Sequence, residues 1–310
     1  MLGFLKKIPF VNQTLLFLGR VTLPGFDGLS IRYVLKFFIE RVNSVSIDMR
    51  ASSLAFRFFL AIFPSLIFLF TLIPYLPIEN FQEELLVLLG QMLPQNVFES
   101  TKETIEDLIT NKQGGLLSFG FIFTLYLTTN GVNAMILSFN DTSHLKEKRS
   151  TVKIWLVSLL MVFLLTLLLS VGISLIVFGE IAIQFLLKHQ WISDGLSLYT
   201  LKAAQWIVML AMFFFSISML YYFGPAKHTR FRFFSAGASL ATLFIVIVSL
   251  GFAYYVNNFA NYNKLYGSLG TIIVIMLWIY FNTLGLLMGY ELNNTIAQGS
   301  VEKLNKTAEE

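Results

Sequence analysis

Arg57 and Glu291 are the two ionisable residues that interrupt long apolar runs of this chain. Charged groups in such runs are costly in lipid and tend to mark pathways for ions or substrates. Arg57 lies near the start of the first run and Glu291 at the end of the last. If the two runs cross a membrane in opposite directions, both residues sit near the same surface. They are then expected to meet as an ion pair or to share a polar pocket. The plainer alternative is that Arg57 snorkels to the headgroups and Glu291 is solvated. Uncharged polar residues extend the pattern. Thr128, Thr129, Asn130 and Asn133 fall in one run, Asn282 and Thr283 in another, and Ser235, Gly237, Ser239 and Thr242 open a third. With Arg57 and Glu291, the residues Asn130, Asn133 and Asn282 are candidates for lining a cavity open to the cytoplasm. Ordinary interhelical hydrogen bonding, about 0.6 kcal/mol per contact, is the competing explanation.

Hydrolytic chemistry finds little support. Metal-dependent RNA cleavage needs His and carboxylate ligands grouped around an ion. The chain has three histidines, His144, His189 and His228, far apart and without an HxHxDH-type group. No GxSxG elbow offers an acyl-transfer nucleophile. With no cysteine, thiolate catalysis, disulfides and Cys-based zinc sites are excluded. No P-loop is present, so ATP hydrolysis by this chain is not expected. No cofactor and no metal site are implied, and the chain reads as a non-enzyme.

The elements that carry these residues are set by composition. Of 310 residues, 56% are hydrophobic and only 13% charged, and the mean hydropathy is +0.71. Soluble domains are about a quarter charged. So much apolar surface needs lipid as its solvent, and a span needs about 20 residues. Six stretches qualify: 58–78, 113–140, 154–179, 203–226, 233–263 and 265–290. They are continuously apolar and do not alternate, which predicts helices and not barrel strands. Met1 to Leu18 carries Lys6 and Lys7 but also Pro9, Asn12 and Gln13, and does not read as a signal peptide.

Lys and Arg predict the orientation. Sixteen of the 22 basic residues fall before the first span, in the loops after the second and fourth, or in the tail; five fall on the other side. Both termini are therefore expected in the cytoplasm of an inner, plasma membrane. The basic balance follows from topology and implies no nucleic-acid partner; membrane lipids and an envelope protein are the expected partners. Oligomeric state is not legible.

Two regions outside the spans are periodic. Residues 29–47 place Ile31, Val34, Leu35, Phe38, Val42 and Val45 on one face, against Arg32, Lys36, Glu40 and Asn43. This predicts an interfacial helix with a basic face, suited to an anionic leaflet. In the external segment 78–112, Leu85, Leu86, Leu89, Met92 and Leu93 form one helical stripe, and Phe98, Thr101, Ile105 and Leu108 another, with Pro94 between them as a breaker. Pro64 lies mid-way in the first span and is a candidate hinge. The expected organisation is a cytoplasmic segment 1–50, a six-helix domain 51–297 and a tail 298–310. The fold class is all-α, a polytopic membrane protein with an amphipathic interfacial helix and short external helices.

Several motifs carry a resemblance. Tyr266-Gly267-Ser268-Leu269-Gly270 is followed by Leu277-Trp278-Ile279-Tyr280 and then by Gly289-Tyr290-Glu291-Leu292-Asn293. The first span offers Ser53-Leu54-Ala55-Phe56 and Leu60-Ala61-Ile62-Phe63-Pro64. After the second span come Asn140, Glu147 and Arg149 in an N-x(6)-E-x-R arrangement. Over roughly residues 30–297 the chain resembles the YihY/BrkB family of bacterial inner-membrane proteins, once labelled ribonuclease BN. The resemblance implies six spans, cytoplasmic termini and a poorly defined function, with a role in envelope lipid or polysaccharide handling suspected for relatives. Two departures stand out: Arg57 occupies a position expected to be uncharged, and Tyr290 replaces an Ala. The functional expectation is a transporter or translocase that handles lipid or another envelope component. The alternative is a non-transporting adaptor for envelope proteins.

Overall fold

The computed structural model describes residues 21–22, 25–44, 47–76, 81–92, 95–142, 147–189, 195–226, 234–258 and 268–309. They form helices α1 (Ile31–Ser44), α2 (Ile47–Leu72), α3 (Phe81–Met92), α4 (Gln95–Thr110), α5 (Gly114–Thr142), α6 (Thr151–Lys188), α7 (Leu196–Phe223), α8 (Ala236–Asn258) and α9 (Ser268–Glu309). A 3-10 turn over Ile73–Tyr75, with Pro74 at its second position, ends α2. Six helices, α2 and α5 to α9, are long and apolar enough to cross a membrane. Lipid offers the backbone no hydrogen-bond partner, so each crossing segment closes its own bonds as a helix. Their outward faces suit lipid: Phe163, Phe178, Trp206 and Ile207 are each at least 60% exposed. The all-α polytopic fold expected from composition is the fold observed.

Small residues set the register of neighbouring helices. A Cβ at Gly131 would lie 2.8 Å from the Phe58 ring, and one at Gly120 3.2 Å from the Phe68 backbone. With Arg50 bonded to the Ser138 carbonyl, these contacts fix α2 and α5 as an antiparallel pair. In the same way Gly285 abuts Phe244 and Ile245, while the Trp278 indole N–H donates to Ser249 at 3.2 Å, which fixes α8 against α9. Gln205 donates to the Ile176 carbonyl at 3.1 Å beside Gly179, joining α6 to α7. Close backbone approach over Gly and Ala is how membrane helices gain packing energy when lipid removes the hydrophobic drive between them.

Helix α9 is the centre, packing on α8, α2, α1 and α5. Eight consecutive residues, 289–296, are buried, so neighbours surround the helix there. A core of Leu54, Met135, Ile136, Phe139, Tyr221 and Tyr290 lies against it. Phe139 stacks on Tyr290 with centroids 4.4 Å apart, and Tyr221 meets both edge-on. Residues 298–309, expected as a tail, continue α9. Leu29 and Val34 pack on Leu292 and Ile296, and Lys303 Nζ donates to the Gly28 carbonyl at 3.2 Å. Gly25 and Gly28 adopt positive φ in the turn that brings this segment back to α9.

The expected elements differ from the observed ones in instructive places. The first crossing helix begins at Ile47, eleven residues before the apolar run at Phe58, because a helix continues through Asp48 and Arg50 at its polar end. The fifth ends at Asn258, and residues 259–267, with Tyr266 and Gly267, lie outside the described residues. On α1 the apolar residues do not form one face: Val34 is buried on α9, but Leu35 is 43% exposed. Val42 and Val45 lie outside what is described. The two short helices expected between the first and second spans appear on either side of Pro94, with Ile105 and Ile109 of α4 packed on Ile73 and Leu85, Leu86 and Leu89 of α3 against them.

Candidate functional site

The end of the bundle that carries Arg50, Arg149 and Lys303 is called the basic end below. Glu291 lies there on the enclosed part of α9 and is fully buried. Its basic neighbour is Arg50, in the first turn of α2. Arg50 feels the opposite charges of Glu291 and of Asp141, and its Nη1 donates to the Ser138 carbonyl at 2.9 Å near the end of α5. That carbonyl lies at the negative end of the α5 dipole, which adds to the attraction for a cation. Arg50 thus ties α2, α5 and α9 together.

Arg57 does not reach Glu291. Thr283 Oγ1 donates to the Ala51 carbonyl at 3.1 Å, which sets the level of α9 against antiparallel α2. Arg57 lies six residues from Ala51 toward the other membrane surface, and Glu291 eight residues from Thr283 toward the basic end. At 1.5 Å per residue the two are about 21 Å apart along the bundle. Arg57 is exposed.

The Asn residues expected to share a pocket with Glu291 are also dispersed. Asn282 is half-buried and donates to the Trp278 carbonyl of its own helix at 2.6 Å. Asn130 and Asn133 are half-buried on α5. Among the described residues nothing bonds the Asn133 Oδ1, nor the hydroxyl of Thr129, which is fully buried one turn away. Pro64 is buried within an unbroken α2.

A second polar group at the basic end is bonded throughout. Asn140 is 2% exposed. Its Nδ2 donates to Glu147 Oε2 at 2.6 Å and its Oδ1 accepts from the Ala226 N–H at 2.8 Å. Arg149 grips the same carboxylate, Nε to Oε1 at 2.9 Å and Nη2 to Oε2 at 2.8 Å, and Nη2 also donates to the Gly224 carbonyl at 3.0 Å. The fork geometry of guanidinium and carboxylate makes such pairs strong. Arg149 holds the Glu147 carboxyl below the usual carboxylate range. Pro225 stops α7 just there, so the group clasps the α5–α6 connection to the α7 terminus. The N-x(6)-E-x-R spacing is therefore a fastening for three helices. Ser150 then caps α6, accepting from the Lys153 N–H.

Sequence reasoning missed Arg50, Ser138 and Asn293. Arg50 falls among the basic residues before the first apolar run, although Ile47, Ala51 and Leu54 already trace one helical stripe past it. Asn293, 4% exposed, accepts from the Gly237 N–H at 2.7 Å and donates to Ser235 at 2.8 Å, capping α8 from α9. Its position two residues after Glu291, in an unbroken helical run, was the available signal. Of the remaining motif residues, Ser268 begins α9 and Gly270 is buried on it. His189 ends α6 and is exposed, while His144 and His228 lie outside the described residues.

No solved structure matches the chain, and its similarities to known proteins are those of sequence. A ribonuclease-like protein of Bacillus subtilis, YfkH, is 34% identical over 244 residues, 79% of this chain and 88% of the relative. The UPF0761 membrane proteins of Vibrio campbellii and Idiomarina loihiensis are 23% and 26% identical, covering 88% and 87% of this chain and 87% and 92% of their own. The profile of the virulence factor BrkB family matches residues 38–310. A profile match from α1 to the end of α9, which takes in the clasp, Arg50 and Glu291, identifies this six-span integral membrane protein as a member of the virulence factor BrkB family.

Proposed function

We propose that the chain is a transporter- or translocase-like protein of the bacterial inner membrane that handles lipid or another envelope component, with its basic end and both termini in the cytoplasm. The observation that carries this reading is Glu291, a carboxylate with no exposed surface, beside Arg50 where α2, α5 and α9 meet. Glycine and alanine contacts are enough to pack these helices. An ionisable pair is therefore a cost that structure alone does not require, and in membranes such pairs line substrate and ion routes. The partnerless Thr129 and Asn133 groups on α5 extend the polar lining past Arg50 toward mid-membrane. The basic end takes the cytoplasmic side because Lys and Arg are retained there during insertion. The reading assigns no catalysis.

The experiment is lipidomics of the full chain extracted into native-lipid discs, against an unrelated six-span protein, followed by a flipping assay in vesicles. One lipid class enriched in the wild type and lost in Glu291→Gln is the expected result. A profile equal to the control, with no flipping, sinks the lipid reading.

One observation favours the adaptor instead. On α3, Val87 and Leu88 are 61% and 50% exposed beside Glu83 and Glu84, around a shallow hollow of about 370 Å³. Crosslinking from Val87 to one envelope protein, lost in Val87→Asp while lipid transfer is absent, is the outcome that reading requires.

A further inference from the structure

Among the described residues none meets the Arg57 charge with an ion pair or a hydrogen bond. The α2 span covers Ile47–Tyr75. Centred in a bilayer, this places the Arg57 Cα about 6 Å from the midplane and about 9 Å inside the 30 Å hydrocarbon core. The side chain is exposed at the edge of the packed face of α2: on one flank Phe56, Leu60 and Phe63 are 53%, 39% and 49% exposed, and on the other Leu54 and Ala61 are buried. Among the described residues no carboxylate or carbonyl accepts a hydrogen bond from it. A guanidinium cannot shed its charge as a buried Lys can. In hydrocarbon the mobile acceptor that can reach it is a lipid phosphate, drawn inward by local thinning.

The geometry of α2 favours that acceptor. Helical side chains lean toward the N-terminus of their helix, so the Arg57 guanidinium points toward the basic end. One turn below it, almost in line, lies Ser53, which is also exposed. Its neighbour Ser52 spends its hydroxyl on the Asp48 carbonyl at 2.9 Å, whereas the Ser53 hydroxyl has no such bond among the described residues. A forked donor with a hydroxyl beneath it matches a phosphodiester. The exposed Phe56 and Leu60 form the adjoining wall for an acyl chain.

We propose that Arg57 and Ser53 hold the phosphate of one anionic phospholipid in the leaflet at the basic end. This site is separate from Glu291 and stands whether or not the protein moves lipid.

The test is native mass spectrometry of the full chain in detergent with added phosphatidylglycerol, phosphatidylcholine or inorganic phosphate, alongside the thermal midpoint under each condition. Wild type is expected to retain one more phosphatidylglycerol than Arg57→Leu or Arg57→Gln at equal activation energy. Phosphatidylglycerol is expected to raise the wild-type midpoint by several degrees and the variants by less than half as much. Lys153→Leu, which removes an exposed charge at the same end, should keep the full effect. Inorganic phosphate should neither stabilise nor compete. Equal retention by wild type and both Arg57 variants overturns the site, as does a loss no larger than that of Lys153→Leu. Competition by inorganic phosphate overturns the lipid assignment.

Discussion

Gly237 and Gly289 face each other so closely that a Cβ on either would fall on the other's carbonyl oxygen. The backbones of α8 and α9 touch at this point. The contact lies two residues from Glu291, and it sets how near α8 comes to the buried carboxylate.

Gly289→Ala is expected to destabilise the protein strongly, since overpacking costs about 1–3 kcal/mol even where neighbours can yield and here the neighbour is backbone. Gly251→Ala, at a glycine with open space around its Cα, should be neutral or mildly stabilising. Thermal midpoints of the two variants in one detergent check the difference. Equal midpoints would falsify the close approach.

Removing Arg50 should destabilise most, because it strands the fully buried Glu291 carboxylate, whereas Glu291→Leu leaves a half-buried Arg50 that can reach solvent and should cost less. The double variant Arg50→Leu/Glu291→Leu should recover much of that loss yet stay inactive in the vesicle assay. Stability measured across the full double-mutant cycle separates a working pair from a merely structural one. Arg57→Leu should leave stability in detergent within about 0.5 kcal/mol, as for other surface changes.

The clasp predicts an acid sensitivity. Arg149, first by its side-chain hydrogen bonds, holds the Glu147 carboxyl below its ordinary 4.5. A carboxyl with a lowered folded-state pKa stabilises the fold fully above the ordinary value, and the contribution is lost as pH falls through the lowered one. Glu147→Gln should therefore melt below wild type at pH 7, with the gap shrinking below pH 4.5. Arg149→Lys should behave like Glu147→Gln at pH 7, because an ammonium cannot make the two-pronged contact. A gap that is constant with pH would remove the charge from this account.

Tyr221 donates its hydroxyl to the Leu286 carbonyl at 2.6 Å within the aromatic core. Tyr221→Phe keeps the ring packing and removes this bond, so a loss of about 1 kcal/mol is expected. Chemical unfolding in mild detergent, compared with Phe139→Leu, tells the bond from the packing.

The sequence by itself determined the crossing helices. Each apolar run is long enough to span lipid, and lipid forbids an unbonded backbone, so composition and length leave only helices. It also determined the two short helices between the first and second spans, where Pro94 divides two stripes, and the spacing of Asn140, Glu147 and Arg149. It did not determine which base meets Glu291. Arg50 and Arg57 are seven residues apart and lie on nearly the same side of α2, so periodicity cannot choose between them. The choice is made by the level of α9 against α2, fixed by the Thr283–Ala51 hydrogen bond and by the glycine contacts that bring α8 and α5 into place. Register between helices distant in sequence is a property of packed surfaces. Only the tertiary structure shows that Arg50, and not Arg57, stands near enough to Glu291 to feel its charge.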